Sequence, residues 1–192
     1  MANVILESSR GIQPVPIEDE LLRKRMIFLT DDVNHNSCAE LIVKLMYLDS
    51  LDSNDEITLY INSPGGNVQD GLAVYDLMKL IKSPIRTVCV GTCASMGAII
   101  FLGGGRREMM AHGKIMIHDP AFGGNHDIGG MKSQEIQAQL DDLNRCRESL
   151  ASIISERTGK SLKEIYKVTA HDTYFTAEEA ITFGLATGIK EG

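Results

Sequence analysis

The chain has 192 residues, of which 43% are hydrophobic, and a formal net charge of −7. This length and composition predict a single domain with a core large enough to fold without disulfides or metals. The acidic balance repels phosphate backbones and anionic lipids, so no nucleic-acid or membrane partner is expected. The sequence contains no stretch of membrane-spanning length and no basic, apolar leader at the N-terminus, which predicts a cytoplasmic protein.

The first 24 residues are predicted to form an N-terminal arm outside the core, because they contain Pro14, Pro16 and the acidic run "IEDE" with weak periodicity. Residues 25–192 are predicted to form the folded domain. Its first strand is "RMIFL", and the helix "SCAELIVKLMYLD" follows, with Ser37 and Glu40 at the spacing of a capping box.

The same strand–helix plan occurs twice more. "EITLYIN" reads as a strand, "SPGGN" as a turn and "VQDGLAVYDLMKLI" as a helix, and "IRTVCV" leads through "GTCA" into "SMGAIIFLGG". Strands that alternate with helices need crossover connections. The predicted fold class is therefore α/β.

The second half of the chain contains the strand "KIMI" and then "AFGGNHDIGGM", which reads as a flexible insertion or an exposed strand. A long helix is predicted over residues 131–157, and it either packs against another subunit or extends across the domain. Two short capped helices are predicted to begin at Ser161 and Thr176, and Gly184 ends the second.

Ser95, in "CASMG", lies between a predicted strand and a predicted helix, where open α/β sheets place their active groups. The unpaired amides of a helix N-terminus would stabilise a negative oxygen there. The string resembles the GxSxG elbow of hydrolases, with Cys93 in place of the first glycine. Two alternatives remain open at this point: Ser95 is a simple helix N-cap, or Cys93 is the nucleophile.

The chain has four cysteines, Cys38, Cys89, Cys93 and Cys146. None of them belongs to a CxxC pair or has a histidine at zinc-finger spacing, so all four are predicted to be reduced core residues.

The turn "SPGG", residues 63–66, is a candidate oxyanion hole, since paired glycines allow the backbone to turn amides toward a ligand. An ordinary Pro-Gly turn is the alternative.

A serine nucleophile needs a base, and His118 is the best candidate of five histidines because it follows the apolar run "KIMI" at a strand end. The orienting acid cannot be chosen from the pattern alone; the candidates are Asp119, Asp127, Asp141, Asp142 and Asp172.

Four strings in order, "INSPGG", "CASMGA", "MIHDP" and "HDTYFTAEEA", resemble ClpP, the family of proteolytic subunits of the ATP-dependent Clp protease, from about Arg23 to Gly188. The resemblance implies the ClpP/crotonase fold of repeated strand-strand-helix units. It also implies Ser95 as nucleophile, His118 as base and Asp172 as orienting acid, with the amides of Gly66 and Met96 as the oxyanion hole.

The resemblance further implies a serine endopeptidase that needs no metal or cofactor and degrades unfolded proteins inside a chamber of two stacked heptamers. A partner AAA+ unfoldase uses the ATP and delivers the substrate, and Tyr60 matches a docking position for it. The alternative for Tyr60 is a core strand residue. Residues 121–157 match the protruding strand-helix handle where the rings meet.

The chain departs from the family pattern at several places, and the handle segment and the N-terminal arm are among them. Asp119 stands where Gln usually follows the base. Its carboxylate would act on His118 if the side chain turned inward, but successive strand residues normally face opposite sides. Ala170 and His171 replace an Asp-Arg pair that links rings. These departures suggest a divergent copy that works with a second ClpP-like subunit in mixed rings.

Two other functions are weighed. A catalytically silent ring subunit would carry the same residues in a misaligned site. A crotonase-type acyl-CoA enzyme would share the fold, but it is not expected to carry Ser, His and Asp at these three positions together.

Overall fold

The computed structural model describes residues 2–8, 11–123 and 129–191. The strands in these ranges are β1 (Asn3–Ser8), β2 (Gly11–Pro16), β3 (Met26–Leu29), β4 (Ile57–Ser63), β5 (Ile85–Ala94), β6 (Arg106–Met109), β7 (Lys114–Ile117), β8 (Thr173–Phe175) and β9 (Gly188–Ile189). The helices are α1 (Ile17–Arg23), α2 (His35–Leu51), α3 (Val68–Leu80), α4 (Met96–Leu102), α5 (Ser133–Thr158), α6 (Leu162–Thr169) and α7 (Ala177–Phe183). None of these helices is long and apolar enough to cross a membrane.

Seven of the described strands form one mostly parallel sheet, whose main path is β3–β4–β5–β6–β9. Strand β7 pairs in parallel with β5 and antiparallel with β8. The α/β class predicted from the sequence is confirmed, since parallel neighbours are joined by helices.

Strand β5 is ten residues long and has two different neighbours on one side. Its first half, Arg86 to Cys89, pairs with β6, and its second half, Thr92 to Ala94, pairs with β7. The register with β4 shifts between Ile61 and Ser63. Because β4 and β5 are parallel, their carboxyl ends lie at the same edge of the sheet, which brings the turn after β4 close to the residue after β5.

Helix α4 lies in the centre of the core, and every residue from Met96 to Leu102 is buried. A helix that is apolar on all sides must be enclosed by other elements, and α3, β5 and α5 pack on it. The start of α4 is therefore held in place by packing on several sides. This rigid position matters because the helix begins at the candidate serine.

The N-terminal segment is more regular than the sequence predicted. Strands β1 and β2 form an antiparallel two-stranded sheet separate from the main sheet, and α1 follows directly at Ile17. Ile17 N donates to Ala2 O at 3.0 Å, which joins the start of α1 to the start of β1. The division into an arm and a domain at residue 25 stays a prediction.

Helix α2 begins two residues earlier than predicted, and Ser37 is not its N-cap. Asn34 is the N-cap, and its Oδ1 accepts from the amides of Asn36 at 2.9 Å and Ser37 at 3.1 Å. Ser37 is the third residue of the capping box and accepts from Asn34 N. The prediction failed because Asn and Ser are equally good caps, and only the entry angle of the chain decides between them.

Helix α5 spans nearly the predicted range, and its burial is uneven. Its buried residues, Leu150, Ala151 and Ile154, all lie in its second half, whereas Ile136 and Leu140 are 36% and 44% exposed. The predicted insertion includes residues 124–128, which lie outside the described residues, so its structure and the handle boundaries stay predictions. Helices α6 and α7 have the predicted capping boxes at Ser161 and Thr176.

The cap of α2 provides a stability prediction. We expect Asn34→Ala to lower the free energy of unfolding by about 1 kcal/mol, because two helix amides lose their acceptor. Asn36→Ala, in the same turn, is the control and should change it by less than about 0.5 kcal/mol. Thermal unfolding of both purified variants measures the difference; equal melting temperatures would contradict the assignment of Asn34 as cap.

Candidate active site

Ser95 occupies a strained backbone turn between β5 and α4. Its φ is 52° and its ψ is −121°, a conformation that non-glycine residues rarely adopt and that costs about 1–3 kcal/mol. Ser95 N donates to Met116 O at 2.9 Å, so the β5–β7 pairing continues through the turn. Such a turn points the side chain out of the strand, as in the nucleophile elbow of hydrolases.

The N-cap alternative for Ser95 does not fit this geometry. Ser95 stands at the N-cap position of α4, but its side chain makes no cap hydrogen bond. Its Oγ lies 2.8 Å from His118 Nε2 instead. With the imidazole proton on Nδ1, Nε2 accepts the hydroxyl proton of Ser95, which is the arrangement that a general base requires.

Asp172 contacts the other nitrogen of the same imidazole. His118 Nδ1 lies 3.2 Å from Asp172 Oδ1. The register explains the contact: Ile117 pairs with Thr173 in the β7–β8 ladder, and one further step along both strands sets His118 opposite Asp172. Residues directly opposite in an antiparallel pair have their side chains on the same face.

The other candidate acids lie elsewhere. Asp119 has its carboxylate on Thr169 and Arg147 rather than on the imidazole. Asp141 and Asp142 are on α5, where their contacts are with Gln137 and Arg145. Asp127 lies outside the described residues.

Cys93 is a poor alternative nucleophile. Its side chain is completely buried in the core, and burial, together with the neighbouring Cys89 thiol, raises its pKa well above the ordinary value for a cysteine. The thiolate is the reactive form of cysteine, and burial of this kind disfavours it. The four cysteines are all free thiols.

The glycine turn after β4 packs directly against Ser95. A Cβ on Gly65 would come within 2.7 Å of Ser95 Cβ and 2.9 Å of Met96 N. Ser63 fixes this turn, because its buried hydroxyl donates to Asp31 O at 2.6 Å and accepts from Gly65 N at 3.2 Å. The contact therefore requires glycine at residue 65.

The amides of Gly66 and Met96 are available to a ligand. Val33 bonds to both neighbours of Gly66: Val33 N donates to Gly65 O, and Asn67 N donates to Val33 O. Among the described residues, the N–H groups of Gly66 and Met96 have no acceptor. Two free amides on either side of a hydroxyl are what an oxyanion hole needs.

A small apolar pocket adjoins the Ser95 and His118 side chains. Its remaining lining comes from three helices and from the β7 end, with Val68, Met96, Ile99, Ile117, Pro120, Leu150 and Ile154. Its volume is about 20 Å³, room for about one water molecule, so these side chains pack closely beside the hydroxyl and the imidazole.

The structure brings together the three predicted side chains, of which Asp172 was named only through the family resemblance, and it shows supporting residues that the sequence did not indicate. Ser63 and Gly65 were part of the quoted turn, but nothing in the sequence gave them separate roles. The Met116 carbonyl and Thr169 were not identified either, because their contacts join residues that are distant along the chain.

A hydroxyl, an imidazole and a carboxylate in this order, beside two free amides, are the parts of a Ser–His–Asp hydrolase site. The comparisons with known proteins then give the family. The family model for Clp protease matches residues 9–192, and the chain belongs to this family.

Two similar relatives are proteolytic subunits of ATP-dependent Clp proteases. The ATP-dependent Clp protease proteolytic subunit 1 of Prochlorococcus marinus subsp. pastoris is 40% identical over 190 residues, which cover 96% of this chain and 93% of the relative. The ATP-dependent Clp protease proteolytic subunit 2 of a Synechococcus strain is 39% identical over 190 residues, 97% of this chain and 93% of the relative. Family membership makes this chain a ClpP-type serine peptidase, as the motifs predicted.

The contact between Gly65 and Ser95 provides a test of the site geometry. We expect Gly65→Ala to slow the reaction of Ser95 with a fluorophosphonate at least about 10-fold, because the added methyl group displaces the serine or the Met96 amide. Gly159→Ala is the control, since it also has positive φ, at 72°, but no atom lies within 4 Å of its Cβ. Equal labelling rates for the two variants would contradict the proposed packing.

Proposed function

We propose that this chain is a serine endopeptidase subunit that hydrolyses unfolded polypeptides to short peptides, with Ser95 as nucleophile, His118 as general base and Asp172 as the orienting acid. The observation that carries the proposal is the 2.8 Å contact between Ser95 Oγ and His118 Nε2 at a strained turn. Strain at such a position persists only where the surrounding structure enforces it, and it concentrates at functional sites.

The reaction follows from the contacts. Ser95 Oγ attacks the peptide carbonyl carbon while His118 Nε2 takes the hydroxyl proton, and Asp172 stabilises the imidazolium. The tetrahedral oxyanion accepts hydrogen bonds from the amides of Gly66 and Met96. His118 then gives its proton to the leaving amine, and water, activated by the same imidazole, hydrolyses the acyl-enzyme. The proposal includes no metal or cofactor, since each proton has a donor and an acceptor within the site.

The proposal includes assembly into two stacked heptamers that enclose the serines, alone or with a second ClpP-like subunit. The exposed apolar residues of α5, Ile136 and Leu140, support it, since an isolated helix face of this kind is suited to packing against another copy. Ala170 and His171 stand in place of the ring-linking pair, so the ring contact proposed here relies on α5.

The proposal also includes an AAA+ unfoldase, which uses the ATP, and a cytoplasmic location, where the four free thiols stay reduced. Tyr60 is the proposed docking residue. Its ring stacks on Phe28 at a centroid distance of 5.2 Å, and Phe28 is 41% exposed, so the two rings form an aromatic surface on neighbouring strands. Aromatic surfaces of this kind are common at protein interfaces.

The nucleophile and the acid are tested together. We expect a fluorophosphonate to label the wild-type protein and not Ser95→Ala, and we expect Asp172→Asn to lower kcat by about 10⁴-fold, because the amide no longer holds the reactive tautomer of His118. Intact mass and peptide hydrolysis measure these outcomes. Labelling of Ser95→Ala at another residue would contradict the assignment of the nucleophile.

The proposed ring contact has its own test. We expect Leu140→Asp to give a smaller particle than the wild type in light scattering, because it introduces a charge into the apolar α5 face. Ala138→Asp is the control, since Ala138 is exposed on the opposite side of the same helix and the charge change is identical. An undiminished particle with Leu140→Asp would contradict packing through this face.

A further inference from the structure

Asp119 directly follows His118, and its carboxylate contacts residues of α6 and α5. Asp119 Oδ1 accepts from Thr169 Oγ1 at 2.5 Å, and Asp119 N donates to Thr169 O at 2.7 Å. The hydroxyl of Thr169 has one proton, and the carboxylate is closer than the alternative acceptor, Ile165 O, at 3.1 Å. Two hydrogen bonds thus join the residue after His118 to one buried residue at the end of α6.

Thr169 is in turn close to Asp172 along the chain. It is the last residue of α6 and is 2% exposed, and the turn after it ends at β8. Thr173 Oγ1 donates to Val168 O at 2.7 Å, which closes the same turn from the other side. His118 and Asp172 are therefore joined at two places: by the β7–β8 ladder, and by the Asp119–Thr169 pair.

Helix α5 also contacts this pair. Arg147 Nε lies 2.7 Å from Asp119 Oδ2, an ion pair in which the N–H is not aligned for a hydrogen bond. The guanidinium stacks over the ring of Tyr166 on α6, with Cζ 4.5 Å from the ring centroid. Both oxygens of Asp119 are thus engaged, one by α6 and one by α5.

We propose that Asp119 is a positioning residue that fixes the segment of His118 against the turn of Asp172 and against α5, so that the imidazole stays within reach of both Ser95 and Asp172. This inference rests on the function proposed above. The physical basis is geometric: a displacement of about 1 Å between reacting groups can cost about 10²-fold in rate. The hydroxyl–carboxylate pair, which is partly buried, is stronger than a neutral hydrogen bond, since one partner is charged.

The contacts of Asp119 favour a positioning role over a direct effect of its charge on the imidazole. The carboxylate contacts Thr169 and Arg147, whereas the carboxylate in contact with the His118 ring is that of Asp172. A positioning role and a direct electrostatic role predict different pH dependence. Only the second would move the acid limb of the pH–rate profile.

The test compares four single variants and one double variant of the full-length protein in peptide hydrolysis and fluorophosphonate labelling. Asp119→Ala removes the acceptor, and Asp119→Gln alters its reach and removes its charge. Thr169→Val removes the hydroxyl at nearly constant shape, and Thr169→Ser restores it. We expect Asp119→Ala and Thr169→Val to lower kcat and the labelling rate by about 10- to 100-fold, with KM changed less than about twofold.

Thr169→Ser should retain most of the wild-type rate, because its hydroxyl can still donate to Asp119. The double variant of Asp119→Ala and Thr169→Val should be no slower than the slower single variant, since both remove the same interaction. The acid limb of the pH–rate profile should stay in place in Asp119→Gln. A shift of about one pH unit there would overturn the proposal in favour of a direct charge effect.

Hydrogen exchange separates this inference from the proposed function. In Asp119→Ala, we expect faster exchange in peptides that cover residues 116–120 and 169–173 than in the wild type. If the fluorophosphonate does not label Ser95 in the wild type, the proposed function fails. If hydrogen exchange in Asp119→Ala equals that of the wild type, the positioning role is overturned even where the proposed function holds. Lower melting temperatures with unchanged kcat would overturn it as well, because they would show a purely structural contact.

Discussion

The parallel pairing of β5 with β7 is the constraint on which the site depends. It runs from Thr92 to Ala94 and continues through the hydrogen bond from Ser95 N to Met116 O. This pairing sets the end of β5 beside the end of β7, and therefore brings Ser95 within 2.8 Å of His118. If β5 paired with β6 along its whole length, the serine and the histidine would lie on strands that are not neighbours.

The antiparallel β7–β8 pair completes the arrangement on the other side of β7 from β5. It brings a carboxylate from the C-terminal part of the chain to the far side of the imidazole. The Asp172 side chain is 60% exposed in the single chain. An exposed ion pair contributes little to folding stability. The contact is therefore better explained by the orientation of His118 than by the stability of the fold. The β7–β8 ladder and the Asp119–Thr169 pair join the segment of His118 to the segment of Asp172.

The strained turn at Ser95 also agrees better with a serine peptidase than with the alternatives. The three side chains are in contact in the single chain, and the amides of Gly66 and Met96 are free among the described residues. A silent ring subunit would have no need of this strain. Ala170 and His171, which stand where the family resemblance implies an Asp-Arg pair, take no part in the contacts among Ser95, His118 and Asp172.

The sequence by itself determined the α/β class and most helices and strands, because periodicity and capping are local properties. Its short motifs indicated Ser95 and His118 as candidates, whereas Asp172 was chosen only through the family resemblance. It did not determine that Asn34 rather than Ser37 caps α2, or that the N-terminal segment forms a hairpin. Only the tertiary structure decided that Ser95 contacts His118 instead of capping α4, that Asp119 binds Thr169 and Arg147, and that α5 leaves Ile136 and Leu140 exposed. Each of these depends on residues far apart in the chain, whose meeting is set by sheet register and helix packing.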